Sequence, residues 1–291
     1  MDRDACLALR AALDREGGGE IAIDYALILP HTALNEPGVR GDIVAGLEGL
    51  PFDNLWIRAS GFGSDGAPAT TGRFITALWG FNNLGKPVVA DYLGGLVGLA
   101  SIAFGAVCGV AHGVGERERF DARGWHKPPP IRSDESGGRA VRIMVPGLDK
   151  SLTIAELKLL AEARGGTRLV VCLDRECCRN GLDDMVQNPR RHAAYQRFAQ
   201  IRDVERTPDL NRERHFLDGE MTRVDRSARR IKELRTGEER MMRTLMGHSR
   251  RVERLRATLE HLHETRRDDH PRSLPATGRV AATAVHRRRQ A

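Results

Sequence analysis

Between Glu20 and Leu173, short apolar runs alternate with helix-like stretches, and this pattern constrains the fold more than any other feature. The runs are near-continuous in apolar residues rather than alternating. Strands of that kind are covered on both faces, as in parallel α/β sheets. Six such runs stand out: 20–29, 54–60, 87–93, 106–114, 140–146 and 167–173. Helical segments between them are predicted over 42–50, 72–82, 96–104 and 153–163. The last is the best signalled: Thr153 and Glu156 form a capping box, Ile154, Leu157 and Leu160 line one face, and Gly165 closes it. Repeated β–α units with short connections imply right-handed crossovers in one parallel sheet. The leading expectation is therefore a parallel (β/α) barrel, incomplete as read, because eight units close such a barrel. The alternative is an open, doubly wound parallel sheet.

Beyond Asn188 the chain becomes helical and highly charged. Asn188 with Pro189 opens a helix, and 207–214 reads as a break. Helices are then expected near 217–234 and 238–264, the second opened by a capping box of Thr236 and Glu239. The organisation expected is an α/β domain over 1–204, an all-α extension over 205–266, and a basic disordered tail over 267–291.

Charge follows this division. The net charge is +7, but residues 201–291 hold 23 Arg and Lys against 15 Asp and Glu, whereas residues 1–200 hold 23 against 24. Arginine-rich helices offer bidentate contacts to phosphate, so RNA or DNA is a candidate partner. Because acidic residues are interleaved, a salt-bridged solvated surface is the competing expectation. In the last helix Leu245, His248, Val252, Leu255, Leu259 and Leu262 recur at spacings of three and four. This 245–262 seam suits a protein partner, self-association or packing on the chain's own main domain.

The charged N-terminus reads as an amphipathic helix rather than a signal peptide, and the apolar stretch 92–114 is interrupted by glycines. No membrane partner is expected. Five cysteines, an odd number, argue against a disulfide framework and for a reducing, cytoplasmic location.

Two constellations carry chemistry. Cys172, Cys177, Cys178 and His192 combine three thiols and an imidazole near a strand end, a turn and a helix start. Such a set can give Zn2+ a tetrahedral shell, and buried free thiols are the competing reading. The other set is positional: in a barrel, functional groups cluster where strands end. Those ends offer Asp24 and His31, Arg58 and Asp65, Asp91, His112 and Glu116, Asp149 and Lys150, and Asp174. Asp91, His112 and Arg58 lead as catalytic candidates, for acid–base work or anion binding. The glycine-rich segment 61–72 precedes a helix and is a weaker phosphate-binding candidate.

The run CLDRECCRNGLDDMVQNPRRHAAYQR, from Cys172 to Arg197, resembles the zinc segment of tRNA-guanine transglycosylase-type barrels. The stretch GVAHGVGERERFD, from Gly109 to Asp121, resembles that family's glycine-rich strand and Phe-Asp pair. The cysteine spacing here is C-x4-C-C rather than the family's C-x-C-x2-C, and no run matches its nucleophile segment. The resemblance implies Cys172, Cys177, Cys178 and His192 as ligands of a structural zinc, and a transferase that exchanges bases in RNA.

Overall fold

A computed structural model describes residues 2–113, 118–127, 141–266 and 271–275. Glu116, most of the polar loop before Val141 and most of the expected tail lie outside the described residues. In chain order the elements are α1 (Arg3–Arg15), β1 (Asp24–Pro30), α2 (His31–Leu34), α3 (Pro37–Leu47), β2 (Asn54–Ser60), β3 (Phe62–Gly63), α4 (Pro68–Trp79), β4 (Val88–Asp91), α5 (Gly95–Ala103), β5 (Gly109–Ala111) and β6 (Arg119–Phe120). They continue with β7 (Arg142–Val145), β8 (Lys150–Thr153), α6 (Ile154–Glu162), α7 (Thr167–Val170), α8 (Leu182–Gln187), α9 (Pro189–Arg206), α10 (Asp209–Phe216), α11 (Thr222–Arg230) and α12 (Glu239–Thr265).

The first four predicted strands form one parallel sheet, β1-β2-β4-β5. Its register sets Arg58 opposite Asp91, and Asp91 opposite Ala111. Each new strand joins on the same side of the last, with helices intervening. The sheet is open, and no closed barrel forms among the described residues. The reason lies in the last two predicted strands. Residues 142–145 do form β7, but a tight turn at Pro146–Asp149 sends the chain straight back as β8 in an antiparallel pair. Asp149 adopts a left-handed conformation there, φ 47°. Residues 167–170 form the short helix α7 rather than a strand. Neither segment extends the main sheet.

The C-terminal helices are part of the body. Val204, Phe216, Met221, Val224, Val252, Leu255 and Leu259 share one apolar core with the sheet and its helices. A second core joins β7, β8, α6 and the cysteine segment to Ile231, Leu234, Met241 and Leu245. The 245–262 seam, expected as a surface for a partner or a second copy, is therefore largely occupied within the same chain. A Cβ on Gly72 of α4 would stand 2.9 Å from Thr258 Cγ2, so the close crossing of α4 and α12 depends on glycine at that position. The expected break at 207–214 is confined to Thr207 and Pro208; helix α10 follows it, and a wide π-type turn, Leu217–Met221, carries α10 into α11. At the start of α12 Thr236 and Glu239 make no capping box, since Glu238 takes the N-cap position. Ser273, within the expected tail, accepts at Oγ from Val88 N–H at 3.1 Å and donates its N–H to the Gly105 carbonyl at 3.0 Å, which pins residues 271–275 to β4 and the turn after α5. Among the described residues no helix is long and apolar enough to cross a membrane.

Candidate metal centre and the neighbouring cleft

Asp174 organises the turn that presents two of the thiols. Its Oδ1 accepts from the N–H groups of Glu176 and Cys177, at 2.9 and 3.2 Å, and its carbonyl accepts from Cys178 N–H at 2.7 Å. Cys172 arrives from the extended segment after α7, and His192 from the first turn of α9. All four ligand side chains are buried, and their donor atoms lie within 4.8 Å of one another. The sulfurs of Cys177 and Cys178 are 3.7 Å apart, and each is 3.3 Å from His192 Nδ1. With Zn–S of about 2.3 Å and Zn–N of about 2.0–2.1 Å, a tetrahedral shell places sulfurs about 3.8 Å apart and sulfur about 3.6 Å from nitrogen. The spacings among Cys177, Cys178 and His192 are therefore those of a tetrahedral shell, and Cys172, within 4.8 Å, could complete it around a metal ion.

The imidazole is already set for that role. His192 Nε2 donates to the Met144 carbonyl at 3.0 Å, which leaves Nδ1 unprotonated and directed at the thiols. A ligating histidine is usually oriented by such a bond on its other nitrogen. Gln196 Nε2 donates to Cys172 Sγ at 3.6 Å. Burial lowers the His192 pKa and keeps the ring neutral. Burial also pushes up the Cys172 and Cys178 thiols, with neighbouring thiols adding to the effect. Three buried sulfurs around an imidazole lone pair gain from a cation that stabilises the thiolates.

The leading catalytic candidates gather at one rim. Arg58 ends near Asp91 and donates to its Oδ2 through Nε at 2.8 Å and also through Nη2. Its guanidinium lies 4.7 Å from the Tyr92 ring centre and 5.2 Å from that of Phe120. His112 follows β5, with Nδ1 3.8 Å from Glu118 Oε1. Asp65 pairs with Arg119, His31 meets the Ser60 carbonyl, and Asp174 belongs to the metal lobe. Asp24 accepts from Asn54 at the opposite, N-terminal end of its strand. In segment 61–72, Gly63 is packed so tightly on β6 that a Cβ would stand 2.7 Å from Arg119 Cα.

Beside that rim is a cavity of about 380 Å³ that includes Glu118, Asp149, Lys150, Arg197 and His248 in its walls. Asp149 accepts from Arg197 Nη2 at 2.8 Å and from Leu96 N–H, the start of α5, at 3.0 Å. Burial alone would raise the Asp149 pKa, but Arg197 and the Leu96 N–H together hold it low. Burial lowers the Lys150 pKa, with Arg142 acting in the same direction. Burial likewise lowers that of His248, whose Nε2 donates to the Leu148 carbonyl at 2.6 Å. Asp149 and Lys150 were legible as strand-end residues. Arg197 and His248 come from helices 48 and 100 residues from their partners; His248 was legible only as a position in the 245–262 seam, and no local pattern marks Arg197 as its partner's cation.

No family model matches the chain, and neither a curated protein nor a solved structure matches it.

Proposed function

We propose that this chain is a zinc-stabilised enzyme that acts on bases in RNA. The Cys3His centre carries the proposal: the resemblance to tRNA-guanine transglycosylases ties this donor set to that chemistry, and the four donors converge within 4.8 Å. Zinc bound there is structural, because four protein ligands leave no position for substrate. It ties the cysteine turn and α9 to the strand that carries Met144. On this reading the four parallel strands are an arc of a (β/α) barrel, consistent with their one-directional order. Asp91, His112 and Arg58 then stand at the rim where a barrel places its chemistry, His112 and Asp91 to move protons and Arg58 to hold an anion. Exposed Arg226, Arg230, Arg250 and Arg254, for which no carboxylate partner is found among the described residues, give the helices a contact for phosphates. Many of their neighbours are already paired, as Arg214 is with Asp218 and Arg223 with Glu220.

The test has two parts. Elemental analysis of the purified protein is expected to find stoichiometric zinc, lost in Cys177→Ser; a metal-free parent overturns the centre. Labelled guanine is then offered with tRNA, and incorporation that disappears in Asp91→Asn supports the enzyme. A second reading is favoured by the mutual pairing of Arg58 and Asp91 between aromatic rings, which gives both groups a structural task. In that reading the body is a non-catalytic scaffold, and the helices bind nucleic acid or protein. Tight, salt-sensitive tRNA binding without incorporation selects it.

A further inference from the structure

At the C-terminal ends of β1 and β2 lies a second hollow, of about 660 Å³, that none of the chemistry above uses. Trp125 stands in its wall and is 63% exposed, the most exposed aromatic ring with a large face in the described body. A large indole normally hides most of its surface. This one is braced from behind rather than loose. Phe120 meets it edge-on at 5.3 Å, and Phe120 is itself backed by Tyr92 at 5.4 Å and by the Arg58 guanidinium. The short turn that carries Trp125 is tied to β2 by Ala122 N–H donating to Ser60 Oγ at 2.9 Å. The ring is thus a prepared platform with one face open.

Polar groups of definite character surround it. His31 Nδ1 lies 3.0 Å from the Ser60 carbonyl. A carbonyl can only accept, so Nδ1 carries the proton and Nε2 is an acceptor in the neutral ring. Arg119 and Arg123 line it, Arg119 being held by Asp65 and the Gly61 carbonyl. Arg123 holds Asp121 through Nε and Nη2, which leaves Nη1 for an incoming anion. A flat face, an acceptor in the wall and a guanidinium with a free Nη1 are complementary to a heterocyclic base attached to a phosphate. Base-on-aromatic stacking with nearby cations is the usual way in which unpaired nucleotides are held.

We propose that this hollow binds one unpaired nucleotide, with Trp125 stacked on the base, His31 Nε2 accepting one of its N–H groups, and Arg123 Nη1 facing its phosphate. That the natural source is an RNA strand rests on the proposed function; a free nucleoside monophosphate offers the same chemistry. Trp125 reports the binding directly, because Trp79 is buried and Trp56 is half-buried. The experiment titrates the full chain with GMP and, separately, with a short single-stranded RNA, and follows tryptophan quenching. Trp125→Ala and Trp125→Phe are compared by direct binding of labelled ligand, after thermal melting has shown that both fold as the parent does.

Quenching of the parent, with affinity reduced about ten-fold or more in Trp125→Ala and largely kept in Trp125→Phe, is the expected result. Equal binding of the RNA by parent and Trp125→Ala overturns the stacking site and leaves the RNA reading intact. Binding of GMP but not RNA, lost in Trp125→Ala, upholds the nucleotide site and removes RNA as its source. A parent that binds neither ligand overturns the site.

Discussion

His192 commits Nε2 to a carbonyl and Nδ1 to two sulfurs, so every lone pair and proton of its ring is assigned. Removing the ring leaves three thiols without their nitrogen donor, and His192→Ala is expected to lose zinc outright, read by elemental analysis. Gln196 sits one step further out, on Cys172 Sγ. Loss of such an outer contact costs about 10–100-fold in metal affinity. Gln196→Leu is therefore expected to keep its zinc on purification but to release it at lower chelator concentration than the parent. In the cleft, the Asp149 carboxyl is held below its ordinary value and the buried His248 likewise. For both groups the unfolded chain binds the proton more readily. Their contribution is present in full above the unfolded pKa and is lost as pH falls, for His248 below about 6.5 and for Asp149 below about 3.9. Stability measured by urea denaturation is expected to decline from near neutrality downward, and Asp149→Asn is expected to flatten the lower part of that decline. An unchanged acid limb in Asp149→Asn would show that other carboxylates set it.

Among the elements, α6 is the one whose start is fully written in local sequence. Thr153 accepts from the Glu156 N–H, and Glu156 returns a bond to the Thr153 N–H. Thr153→Ala is expected to cost about 1 kcal/mol in urea denaturation, while Thr153→Ser keeps most of it. The same local logic made the sheet legible: apolar runs became β1, β2, β4 and β5, with the central β4 buried on both faces as such a run demands and the edge strands β1 and β5 only partly covered. It failed at 167–173, where the β-branched run TRLVVCL is half helix. Short apolar runs carry no period, and packing on α6 and the cysteine turn decided that segment. It failed also at Thr236, whose hydroxyl meets Glu238 N–H at 3.4 Å instead of the N–H of Glu239. The Cys3His set was legible because residue type and short separation are both local. The Asp149–Arg197 pair was not, since only the folded chain shows that the β7–β8 turn meets α9.

At the scale of the whole molecule, the two apolar cores divide the labour unequally. The larger holds the parallel sheet together with α10, α11 and much of α12. The smaller contains Cys172, Cys177 and Cys178 among its own buried residues, so the candidate metal ligands and the apolar packing there are the same side chains. A bound zinc should accordingly stabilise the smaller core far more than the sheet, and α12, which reaches into both through Leu245 and Val252, should carry only part of the loss between them. Chelation in hydrogen-exchange experiments is expected to deprotect the amides of β7, β8, α6 and the start of α9 while β1, β2 and β4 keep most of their protection. Local opening of this kind follows cooperative units rather than the entire chain. Uniform deprotection would mean that the two cores unfold as one and that the cysteine centre governs the whole fold. No change on chelation, in a protein shown to have lost its metal, would mean that apolar packing alone holds the lobe and that the ion is dispensable for its structure.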